Sequence, residues 1–169
     1  MNWSDLVSRV ITIAEGAGAE TMRFYKTDDL KVDAKSDDSP VSAADLAAHH
    51  YIVDRLEGLL DDAEVISEES AEARGFAPPT GTQFWLVDPL DGTTNFAAGI
   101  PYWAISIARF VGGEPSEAFL DIPSLRQRIV AIRGQGAWRN QKRLTPESRV
   151  AAGSSCVSLC SRSIRVLQK

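Results

Sequence analysis

Cysteine and histidine are scarce: Cys156, Cys160, His49 and His50 are all that 169 residues hold. Such a set has no zinc-ligand spacing and builds no disulfide framework, so a reducing cytoplasm is the expected setting. No apolar run reaches membrane-spanning length, so no membrane partner is expected. The start, MNWSDLVSRV, lacks the basic-then-apolar order of a signal peptide. Positive charge is short as well, 18 Lys and Arg against 23 Asp and Glu, for a net charge of −5. That balance argues against nucleic acid as a partner. Arg139, Lys142, Arg143, Arg149, Arg162 and Arg165 have no interleaved aromatics and read as a solvated basic face. What is plentiful is apolar material, 44% of residues, enough for the core of one ordinary domain.

One stretch organises the rest, Trp85 to Phe96, WLVDPLDGTTNF. The apolar run Phe84-Trp85-Leu86-Val87 reads as a short buried strand, and Pro89 and Gly92 then predict a turn. Asp88 and Asp91 on that turn must repel each other or share a cation, and a hard ion such as Mg²⁺ suits oxygen ligands. Gly92-Thr93-Thr94 can open a short helix whose free N–H groups face an anion. A cation seat beside a phosphate seat is what metal-assisted phosphoester hydrolysis requires.

Around this stretch, Leu6, Val10, Ile13, Ala17 and Phe24 predict a helix from Ser4 to Tyr25, with Ser4 as N-cap. Gly16 and Gly18 weaken it and permit close packing. A polar stretch, Lys26 to Asp38, follows, with an extended piece at Leu30-Lys31-Val32. A second helix starts at Ser39-Pro40-Val41-Ser42, with Ser42 as N-cap, Asp45 completing a capping box, and Leu46, His49, Val53, Leu56 and Leu60 on one face. On spacing alone Asp45 is a helix-start carboxylate and His49 a packed histidine. Glu64-Val65-Ile66-Ser67 is a strand running into Glu68-Glu69. Should this strand lie beside the one ending at Asp88, three or four carboxylates meet at one point. Ala71 to Thr82 is a loop, and 103–111, 118–122, 129–132, 134–138 and Leu144 predict an antiparallel series. Arg149 to Ser155 reads as another strand, and Cys156 to Lys169 as a tail without a period.

These residues resemble the inositol monophosphatase superfamily of Mg²⁺-dependent, lithium-sensitive phosphatases. The resemblance rests on Glu68-Glu69, Asp88-Pro89-Leu90-Asp91-Gly92-Thr93, and Ser39 to Asp45. It implies an α+β fold, two long helices packed on a mostly antiparallel sheet, the N-terminal half of a layered αβαβα architecture. By the same resemblance Glu68, Asp88, the Leu90 carbonyl and Asp91 hold two or three Mg²⁺ ions. Thr93 and Glu68 orient the attacking water, Gly92 and Thr93 bind the substrate phosphate, and Asp45 becomes a carboxylate behind the metals. Ser67-Glu68-Glu69-Ser70 is similar to the 3′-phosphoadenosine 5′-phosphate phosphatases, whereas Thr94-Asn95-Phe96 and Gly99-Ile100-Pro101 resemble inositol phosphatases. The substrate therefore stays open between an inositol or sugar phosphate and a nucleotide. The family's later Trp-Asp pair has no counterpart here, so residues 1–155 are expected to form the metal- and phosphate-binding domain, with 156–169 atypical and the C-terminal half absent. A catalytically impaired, metal-binding fragment is the third reading, and a homodimer is the family's usual assembly.

Overall fold

Apolar residues at helical spacing build the first element. The computed structural model of the chain describes residues 4–27, 40–60, 62–70 and 79–145, and of residues 40–42 the backbone alone. Helix α1 (Asp5–Met22) begins as its sequence predicts: the Ser4 hydroxyl accepts the Val7 N–H at 3.3 Å. Its buried face is Val7, Val10, Ile13, Ala14 and Ala17. A side chain at Gly16 would collide with the Tyr51 ring, and one at Gly18 with Pro123 and Asp121, so both glycines serve close approach.

Helix α2 (Pro40–Leu56) corrects the sequence reading twice. It starts before Ser42, which lies inside the first turn rather than at the N-cap. Its buried residues are Ala44, Ala48, Ile52 and Leu56, while Leu46 is 43% exposed. Two of the four are alanines: Ala48 joins Ile52 and Leu56 in the core shared with α1, and Ala44 packs on Leu90, Phe96 and Trp103.

Strands β1 (Glu64–Ser67), β2 (Gln83–Asp91), β3 (Ala104–Val111), β4 (Glu114–Ile122), β5 (Gln127–Ile132), β6 (Gly136–Arg139) and β7 (Lys142–Leu144) form one sheet in sequential order. Only β1 and β2 are parallel; every later pair is antiparallel. Period-two alternation turns Trp85, Val87, Ile105, Ile107, Phe119 and Val130 toward α1 and α2, making the main core. The expected α+β arrangement, helices on one face of a mostly antiparallel sheet, is what forms. Among the described residues, no helix is long and apolar enough to cross a membrane.

A second cluster supports the end of β2. Ala44, Leu90, Phe96 and Trp103 bury together, with Phe24 and Tyr25 packed on them. The Tyr25, Phe96 and Trp103 rings stand with centroids 5.0–5.3 Å apart, and the Tyr25 hydroxyl donates to the Gly99 carbonyl at 2.8 Å. This cluster fixes helix α3 (Thr93–Ala97) beside the start of α2. The extended piece at 30–32, most of the 71–82 loop, the 149–155 strand and the 156–169 tail lie outside the described residues.

Candidate metal centre

The acidic residues meet because β1 and β2 lie side by side. Ser67 pairs in register with Val87, so Glu68, just past β1, arrives at the sheet end where β2 carries Asp88. The condition that the sequence set, β1 beside the strand carrying Asp88, is met. One expectation is corrected: Asp88 and Asp91 do not sit on a turn after the strand, because β2 runs on to Asp91. The path is a bulge, with Asp88 opposite Ser106 but Asp91 opposite Ala104. Pro89, which has no N–H for a ladder bond, sits inside that bulge. Leu90 is 1% exposed and anchors it in the aromatic cluster, and its N–H donates to Asp88 Oδ1 at 3.1 Å. Asp91 is left exposed at the strand end.

The turn proper falls on Gly92, which caps α3 at φ +91°. A Cβ there would stand 3.0 Å from the Tyr102 carbonyl oxygen, so a left-handed backbone and a close neighbour both demand glycine. The first-turn N–H groups of α3 have no acceptor within the helix. Thr93 is exposed, and its hydroxyl bonds to none of the described residues.

Asp45 completes the group from α2. Burial, and then the negative charges of Glu69, Asp88 and Glu68, push its carboxyl up to about 8; a hydrogen bond within reach of Glu69 acts in the same sense. Burial and the charges of Glu68 and Asp91 push Asp88 up to about 7, with the Leu90 N–H opposing. Asp45 Oδ1 is buried without a hydrogen-bond partner. As the side chains lie, no three His, Cys, Asp or Glu groups among the described residues stand at metal-holding spacing. The carboxylates pair instead, Asp45 toward Glu69 and Asp88 toward Glu68. The donor set fits a hard divalent cation nonetheless. It is all oxygen, it carries an orphaned buried acceptor, and its mutual repulsion is what a cation relieves.

Reasoning from sequence did not assign Glu69, which is half-buried against Asp45. It also missed that His49 and Ser67 bond to each other, Nδ1 to Oγ at 2.8 Å. The four-residue spacing from Asp45 to His49 puts both on one side of α2 but names no partner for the imidazole.

The model of the inositol monophosphatase family matches residues 2–168. This chain belongs to that family. Among the family's curated proteins, histidinol-phosphatase of Streptomyces coelicolor is 37% identical over 130 residues, 75% of this chain and 47% of its own length. The 3′(2′),5′-bisphosphate nucleotidase CysQ of Escherichia coli K12 is 36% identical over 138 residues, 80% of this chain and 55% of its own. The crystal structure of extragenic suppressor protein suhB from Bartonella henselae superposes with a TM-score of 0.70 at 29% identity, over 86% of this chain and 56% of that one. The chain thus spans about half the length of the relatives it matches.

Proposed function

We propose that this chain supplies the cation and phosphate seats of a Mg²⁺-dependent phosphomonoesterase acting on a small phosphate monoester such as an inositol or sugar phosphate. The observation that carries the reading is the gathering of Asp45, Glu68, Asp88 and Asp91 at one sheet end, next to the Gly92-Thr93 helix start. Glu68, Asp88, the Leu90 carbonyl and Asp91 would hold Mg²⁺. Bound there, the ion supplies charge neutralisation at the phosphoryl group and a more acidic water. The chain's own groups do the rest. Gly92 and Thr93 N–H groups hold phosphate oxygens, Glu68 and the Thr93 hydroxyl orient the attacking water, and Asp45 holds the acidic turn from behind. The expected partners remain a small phosphorylated substrate and a second copy of the chain, in a cytoplasmic setting.

A nucleotide substrate is the second reading, favoured by the similarity to CysQ and by Ser67 ahead of the glutamates. Phosphate release from inositol 1-phosphate, histidinol phosphate and 3′-phosphoadenosine 5′-phosphate, with Mg²⁺ and with chelator, tests both. Mg²⁺-dependent release from one of them supports the proposal and names the class. Release from none, with the cation bound, leaves the impaired-fragment reading in its place.

A further inference from the structure

We propose that His49 is a positioning residue: through Ser67 it sets the turn that carries Glu68 and Glu69 against Asp45. The inference rests on the cation-seat reading above. Helix α2 bears Asp45 and His49 one turn apart on one side. Strand alternation turns Val65 and Ser67 toward the helices, and Ser67 is 0% exposed. A buried hydroxyl needs a partner, and His49 Nδ1 is the partner of Ser67 Oγ at 2.8 Å. Either tautomer of a neutral imidazole makes this bond, and burial together with His50 disfavours the charged form.

Residue 67 is held from the other side as well. The Ser67 N–H donates to Ser70 Oγ at 3.3 Å, and the Ser70 hydroxyl donates to the Ser67 carbonyl at 2.9 Å. Glu68 and Glu69 are the two residues enclosed by that knot, in the helical turn 68–70. Helix α2 therefore grips the acidic turn twice, by Asp45 at Glu69 and by His49 at Ser67. Ser67 also pairs with Val87, beside Asp88, so the bond ties all three acidic elements to one point. Groups that orient metal-binding side chains from outside the coordination shell commonly change metal affinity 10- to 100-fold when removed.

The test is a double-mutant cycle on Mn²⁺ affinity, read from the free-ion electron paramagnetic resonance signal, with Mg²⁺ as competitor. His49→Ala and Ser67→Ala should each weaken Mn²⁺ binding about 10-fold, and the double variant no more than either alone. His49→Asn, whose amide can reach the Nδ1 position, should restore most of the affinity. Thermal unfolding of each variant in chelator separates loss of fold from loss of affinity. Multiplicative effects, or affinities within about twofold of the parent, overturn the positioning role alone. A parent chain that binds no Mn²⁺ overturns the cation seat and this role together.

Discussion

Replacing Gly92 by alanine puts a number on how tightly the turn beneath the site is built. The residue holds φ +91°, where an L side chain costs roughly 1–2 kcal/mol. Its Cβ would stand 3.0 Å from the Tyr102 oxygen. That oxygen cannot retreat freely, because Asn95 Nδ2 donates to it at 2.6 Å. The Gly92 carbonyl meanwhile accepts the Phe96 N–H at 3.0 Å, so the turn cannot shift without loosening α3. Strain and crowding together predict a loss of about 2–4 kcal/mol, a fall in Tm of roughly 5–12 °C for a chain this long. Gly112 is the control. It has φ +61° and nothing within 4 Å of its Cβ position, so alanine there pays the backbone strain alone. Urea unfolding of the two variants compares them directly. A Gly92→Ala loss no larger than that of Gly112→Ala would refute the crowding argument.

Other outcomes follow from charge. Asp45 and Asp88, raised from 3.8 to about 8 and about 7, make the folded chain bind more protons than the unfolded one. Their stabilising contribution is full below pH ~4 and is lost as pH rises through 7 to 8. Both side chains are only partly buried and so partly screened, so urea unfolding in chelator should show a loss of about 2–4 kcal/mol between pH 5 and 8.5, and a flat profile contradicts this. On the helix-facing side, Glu117 receives Arg109 through Nε at 2.8 Å and a second nitrogen at 3.2 Å, with the side chains 13% and 17% exposed. Glu117→Ala should cost about 2–3 kcal/mol by stranding the guanidinium, and the Arg109→Leu/Glu117→Leu pair less; equal losses in denaturant melts would count against it.

Much of this was legible in the residues, for identifiable reasons. Helix α1 declared itself because its stripe is built from large apolar side chains and its cap is a serine. Helix α2 was misphased because its packing residues are Ala44 and Ala48, which a hydrophobic pattern scarcely distinguishes from surface alanines. The β2 bulge hid behind Pro89, a residue that usually ends a strand and here occupies a position where no ladder donor is needed. The gathering of carboxylates could be stated only conditionally, since strand adjacency is a long-range fact. The His49–Ser67 bond was out of reach, because spacing does not say which face of β1 meets which turn of α2.

The central claim is that the acidic cluster is a divalent-cation seat with Asp88 at its middle. Isothermal titration of Mg²⁺ into the parent chain and into Asp88→Asn tests it most directly. The account predicts saturable binding by the parent that releases protons, as the raised carboxyls require, and affinity weakened at least about 100-fold in the variant. Equal Mg²⁺ binding by both chains, or none by the parent, would contradict it.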